Sequence, residues 1–141
     1  MLVVDASVAI KFVTEESGSA AAVALLASPD PLIAPDWVLA ESASGLARKV
    51  LLNGLPLATA EAALAALPRF FSQLHPAVEL LDSSFDLSFK LRHAFYDCLY
   101  LALALRDEAM LVTADAKFEK AARRGGFGSR IRLLDEEGYE E

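Results

Sequence analysis

The sequence holds a single cysteine, Cys98. It can form no intrachain disulfide and no cysteine-based zinc site, which suits a reducing compartment. Glycine and proline are sparse, seven and six in 141 residues, which excludes a collagen-like or low-complexity chain. Long apolar runs are missing too. The longest, around Leu99 to Leu105, falls well short of the ~20 residues that span a bilayer. The opening Leu2-Val3-Val4-Asp5 lacks the basic and long apolar regions of a signal peptide, so a cytoplasmic protein without membrane contact is expected. Positive charge is also scarce. Thirteen basic against twenty acidic residues leave a formal charge of −7, which excludes holding nucleic acid by bulk positive charge alone. Local recognition, or a metal ion carrying the positive charge, is compatible with that balance.

What is present is a core. Hydrophobic residues make up 55% and charged residues 23%, the balance of a folded chain rather than a disordered one. The length suits one domain, 1–141, ending in an acidic tail from about 135 to 141.

Short apolar runs alternate with helical patterns. Leu2 to Val4, Leu32 to Ala34, Val78 to Leu81, Met110 to Val112 and Ile131 to Leu133 are predicted strands. Helices are predicted over 6–13, 20–27, 37–52, 60–71, from Ser83 or Ser84 to about 93, 95–108 and 116–124. Asp36 and Thr59 are expected N-caps, Asn53-Gly54 a helix stop, and Pro68 a kink. This alternation implies right-handed crossovers and a three-layer α/β/α sandwich around a parallel sheet. Ligands in such sheets bind beyond the carboxyl ends of the strands.

Four acids stand out. Asp5 and Asp115 each lie just past a predicted strand and just before a helix, at the expected functional edge. Each also suits an N-cap, so both roles stay open. Asp97 lies in the apolar segment Phe95-Tyr96-Asp97-Cys98-Leu99-Tyr100-Leu101, where an isolated buried charge is costly. Glu41 is flanked by Ala40, Ser42, Ala43, Ser44 and Gly45, which leave room for close approach; taken alone it reads better as a solvated helix face. Converging carboxylates repel unless a cation neutralises them, and Mg²⁺ and Mn²⁺ prefer oxygen ligands. Such an ion also recruits phosphate and activates water.

Four segments carry a family resemblance: Val3-Val4-Asp5-Ala6-Ser7-Val8-Ala9, Ala34-Pro35-Asp36-Trp37-Val38-Leu39-Ala40-Glu41, Tyr96-Asp97-Cys98-Leu99-Tyr100-Leu101-Ala102-Leu103-Ala104 and Val112-Thr113-Ala114-Asp115-Ala116-Lys117-Phe118. Together, in this order, they resemble PIN-domain proteins, and more narrowly the VapC toxins of toxin–antitoxin pairs. Cys98 departs mildly from the alanine common after this aspartate. The resemblance implies an endoribonuclease in which Asp5, Glu41, Asp97 and Asp115 bind Mg²⁺ or Mn²⁺ and a metal-activated water attacks phosphorus. It also implies that the Ser7 and Thr113 hydroxyls orient the carboxylates. A homodimer and a cognate VapB-type antitoxin blocking the acidic site are further implications. A non-cleaving PIN domain is one alternative. A metal-dependent phosphotransfer protein, such as a receiver domain or a haloacid-dehalogenase-type phosphatase, is another.

RNA also needs phosphate contacts. Lys11 and Lys117, each a short helical step after a site aspartate, lead the candidates over Arg48, Lys49, Lys90, Arg92, Lys120, Arg123 and Arg124. His93, one turn before Asp97, is placed to touch the site, whereas His75 is expected to be structural. Trp37, Phe70, Phe71, Phe85 and Phe89 have the spacing of core or dimer contacts.

Overall fold

The computed structural model describes residues 1–134, so the acidic tail lies outside the described residues. Five parallel strands form the sheet: β1 (Leu2–Val4), β2 (Leu32–Pro35), β3 (Gln73–His75), β4 (Met110–Thr113) and β5 (Ile131–Leu133), in the order β3-β2-β1-β4-β5. Between them run α1 (Ala6–Val13), α2 (Ser19–Leu26), α3 (Trp37–Asn53), α4 (Leu57–Ala66), α5 (Leu81–Leu91), α6 (Phe95–Arg106) and α7 (Ala116–Ala122). The chain moves outward from β1 to β3, then returns across the sheet to β4 and β5. Right-handed crossovers therefore put α1–α4 on one face and α5–α7 on the other, which gives the expected three layers.

β1 is central and wholly buried, as its unbroken apolar run requires. α6 packs behind β1, β2 and β4 and is buried from Cys98 through Ala104. That explains why its sequence has no polar stripe. Gly45 lets α1 and α3 approach closely, since a Cβ there would stand 2.6 Å from Ile10 Cδ1. Part of the small-residue run around Glu41 thus serves helix packing.

Several boundaries differ from the sequence expectation. The third strand is Gln73–His75, and Ala77–Leu80 is instead a 3₁₀ turn leading into α5. Thr59 does not cap a helix, because α4 begins at Leu57 behind Pro56. Pro68 falls in a 3₁₀ turn, Leu67–Phe70, that ends the helix early. Asp36 occupies the N-cap position of α3 as expected but makes no side-chain cap hydrogen bond; its Oδ1 accepts the Ala77 N–H at 2.9 Å and so ties the start of α3 to the segment after β3. Gly54 does close α3, at φ 74°.

Candidate metal centre at the carboxyl edge of the sheet

β1 and β4 are neighbours, and the chain leaves them toward opposite edges of the sheet. Loops part at such a switch point and leave a crevice at the strands' carboxyl ends. Asp5 follows β1 directly, and Asp115 lies two residues beyond β4. The register pairs Val4 with Val112, which sets Asp5 beside Thr113.

Both aspartates are caps as well as crevice residues. Asp5 Oδ1 accepts the Val8 N–H at 3.3 Å, and Asp115 Oδ1 accepts those of Lys117 and Phe118 at 2.9 and 3.2 Å. Asp115 Oδ2 makes no hydrogen bond among the described residues. Capping and site membership are thus compatible, because a cap occupies one oxygen only.

Hydroxyls hold Asp5 in place. Ser7 Oγ donates to Oδ1 and Thr113 Oγ1 to Oδ2. Ser7 Oγ accepts the Ala114 N–H at 2.9 Å, and Thr113 Oγ1 accepts that of Asp115 at 3.1 Å. One polar chain therefore fastens the start of α1 to the β4–α7 turn.

Glu41, on the first turns of α3, accepts a hydrogen bond from the Tyr100 hydroxyl at 2.7 Å. Trp37, one turn earlier, stacks on Tyr96 with ring centroids 4.3 Å apart. Its buried Nε1 makes no full hydrogen bond, yet the N–H lies close enough to favour the Glu41 carboxylate. Asp97 lies in the first turn of α6, 2.6 Å from His93 Nε2. The His93 ring is stacked in turn on Phe118, centroids 5.0 Å apart. Ligand atoms of His93, Asp97 and Asp115 lie within 4.8 Å of one another.

Of the four acids this cluster holds Asp97 and Asp115; Asp5 and Glu41 lie outside it and are linked to Asp97 through the repulsion of their charges. Burial pushes Asp5 up to about 7 despite its two hydroxyl donors, and the charges of Asp97 and Glu41 add to the rise. Burial also raises Glu41, against the Tyr100 hydrogen bond, with Asp97 contributing. It raises Asp97 against His93, with Asp115 contributing. Tyr100 is pushed well up by burial and by the charges of Glu41, Asp5 and Asp97. Acids that are desolvated together in this way are stabilised as anions by a hard divalent cation with oxygen ligands, and the donor set fits one.

Of the other candidates, Lys11 and His75 lie away from the crevice, whereas Lys117 borders it. Lys11 is buried; its Nζ donates to the Ser17 carbonyl and stands 3.7 Å from Glu16. Six residues at about 100° each turn it away from the face Asp5 occupies. Lys117 is exposed on α7 beside Asp115. His75 ends β3, its Nδ1 2.9 Å from Arg106 and its Nε2 3.6 Å from Asp107. Sequence reasoning gave no role at the site to Tyr100 or Trp37. Their spacing was the available signal: Tyr100 is three residues after Asp97, and Trp37 four before Glu41, on shared helix faces.

The model of the PIN domain matches residues 2–124, which include all four acids and the switch point. The chain belongs to the PIN-domain family. A PIN relative, Ribonuclease VapC1 of Mycobacterium tuberculosis (strain CDC 1551 / Oshkosh), is 32% identical over 134 residues, covering 94% of this chain and 96% of that protein. The same protein from strain ATCC 25618 / H37Rv gives the same figures. Among solved structures, PAE2754 from Pyrobaculum aerophilum superposes with TM-score 0.72 at 19% identity, covering 94% of this chain and 90% of that one. Mycobacterium tuberculosis VapC20, a sarcin-ricin loop cleaving toxin, gives TM-score 0.65 at 21% identity, covering 86% of this chain and 95% of its own. At those identities the structures support the PIN fold alone. Family membership removes the receiver and phosphatase alternatives.

Proposed function

We propose that this PIN domain is an Mg²⁺- or Mn²⁺-dependent endoribonuclease and the toxin of a VapBC-type pair. The observation that carries the reading is the cluster of His93, Asp97 and Asp115, with ligand atoms within 4.8 Å of one another; Asp5 and Glu41, raised by burial and by the Asp97 charge, support the extension to four acids. These four carboxylates would hold the cation. When bound, a divalent cation supplies charge neutralisation, recruitment of a phosphodiester and an activated water for attack on phosphorus.

The chain's own residues set the geometry for that attack. Ser7 and Thr113 fix both oxygens of Asp5, Tyr100 fixes Glu41, and His93 fixes Asp97. Each carboxylate is therefore oriented before ligand arrives, and little reorganisation is left for the reaction. Oxygen donors dominate the set, which favours Mg²⁺ or Mn²⁺ over softer ions. The intact quartet argues against a non-cleaving PIN domain.

The partners follow from the same reading. RNA is the substrate, and a VapB-type antitoxin, through its C-terminal segment, covers the crevice. A cationic side chain of the antitoxin suits the carboxylates by replacing the metal's charge. We place the protein in the cytoplasm as a homodimer. Exposed Leu51, Leu52 and Leu57 at the α3–α4 corner offer apolar area for the dimer contact. Among the described residues no helix is long and apolar enough to cross a membrane.

The test is cleavage of single-stranded RNA by purified protein with Mn²⁺. EDTA should stop it, and Asp97→Asn should slow it by about a hundredfold or more. An Asp97→Asn variant as fast as the parent would refute the site. Growth arrest on expression, relieved by a co-expressed small neighbouring gene product, would support the toxin role.

A further inference from the structure

A second cavity adjoins the acidic crevice and has the opposite charge. It encloses about 480 Å³ and is lined by Lys90, Arg92, His93, Lys117, Arg124 and Gly125, with apolar walls from neighbouring residues. His93 is the shared wall: it lines this cavity, and its Nε2 holds Asp97 of the crevice. Lys117 begins on the same border, two residues after Asp115.

Local structure explains why these cations meet. α5 ends at Leu91, and Arg92 follows in the left-handed region at φ 51°, turning the chain sharply into His93. Opposite stands the wide turn Arg123–Phe127 after α7. Gly125 lets that turn close on α5, since a Cβ there would lie 2.2 Å from Leu91 Cδ2. The close approach brings Arg124 across from Lys90 and Arg92.

Among the described residues, no acid forms an ion pair with Lys90, Arg92, Lys117 or Arg124, whereas Lys11, Lys49, Arg106 and Arg123 all have one. Lys90 Nζ stands 5.1 Å from the Phe127 ring centroid, a contact that orients an ammonium without cancelling its charge. Among the described residues, four cations without an ion pair thus line one concavity, in a chain of net charge −7.

We propose that this cavity binds a backbone phosphodiester of the RNA strand, adjacent to the one held for cleavage in the acidic crevice. The proposal rests on the ribonuclease reading above and adds the residues that grip the strand. The two halves do different work. The crevice repels phosphate until a cation occupies it, whereas the basic cavity attracts phosphate at all times. A strand held there by Lys90, Arg92, Lys117 and Arg124 is delivered with its next phosphate at the crevice. This gives an acidic protein a route to a polyanion that depends on neither net charge nor metal alone.

The test is the double variant Lys90→Ala/Arg124→Ala, two exposed positions outside the His93, Asp97 and Asp115 cluster. Cleavage of single-stranded RNA with Mn²⁺ is followed across a KCl series, with Arg69→Ala, which removes one positive charge outside the cavity lining, as a control. The expected result is a KM raised about tenfold or more, a much smaller change in kcat, and a shallower salt dependence. The slope should fall by about 0.7 for each phosphate that the variant no longer neutralises. Filter binding of RNA to metal-free protein should weaken in parallel, with Arg69→Ala unaffected. Unchanged KM, salt slope and metal-free binding would overturn the cavity assignment while cleavage itself stands. Metal-free binding that falls in the variant while the parent cuts nothing would keep the cavity and overturn the ribonuclease reading. Substrates with 5′-hydroxyl and 5′-phosphate ends should respond alike; an effect confined to the phosphorylated end would overturn the assignment in favour of a terminal phosphomonoester.

Discussion

Asp5 and Glu41 are held by hydroxyls from distant stretches of chain, Thr113 and Tyr100, whereas Asp97 and Asp115 are held by near neighbours. Tyr100 reaches Glu41 across 59 residues of sequence. Its ring is fully buried in α6 while its hydroxyl holds Glu41 of α3. Tyr100→Phe keeps the packing and deletes only that hydrogen bond. It should cost about 1 kcal/mol of stability, seen in urea unfolding. It should weaken Mn²⁺ affinity about tenfold, seen by titration. Thr113→Val should behave alike through Asp5, with a larger stability loss because Thr113 Oγ1 also accepts the Asp115 N–H. The identity of the acids was legible in the sequence because charges interrupt apolar segments there. Their supports were not, since nothing local marks Tyr100 as reaching across to residue 41, and Lys11 shows that a short step after a site residue does not set direction.

Among the elements, α6 carries the most weight. It spans three strands behind the sheet and positions both Asp97 and Tyr100. Leu103, fully buried there, should cost about 2–5 kcal/mol on change to Ala, with a lowered urea midpoint. A shift under about 1 kcal/mol would mean that the helix is not the packed centre described. The strands β1, β2, β4 and β5 and most helices follow from apolar periodicity. β3 does not, because Gln73–His75 is short, partly exposed and polar, while the more apolar Val78–Leu81 looks more like a strand. Edge position is the reason: a strand paired on one side only, like β3, need not be apolar throughout. The Thr59 cap fails for a related reason. Pro56 fixes the backbone earlier and starts α4 before the side chain that would cap it.

At the scale of the whole molecule, the crevice trades stability for charge. Asp5 sits at about 7 in the folded chain against 3.8 in an ordinary environment, so the folded state holds its proton more tightly than the unfolded one. The stability this contributes is complete below about pH 4 and is lost as pH rises through about 7. For Asp5 the window amounts to about 4 kcal/mol at most, and Glu41 and Asp97 act in the same direction. Metal-free protein should therefore melt at a lower temperature at pH 7.5 than at pH 5.5, and Mn²⁺ should raise the midpoint more at the higher pH. Equal Mn²⁺ effects at both values would contradict the coupling.

Calorimetric titration of Mn²⁺ at pH 7, repeated in buffers of different ionisation heat, tests the carboxylate centre most directly. Binding should release protons, about half of one from Asp5 alone, and Asp97→Asn should lose most of the affinity. Binding without proton release, or with the same affinity in Asp97→Asn, would contradict a shared cation site among the four acids.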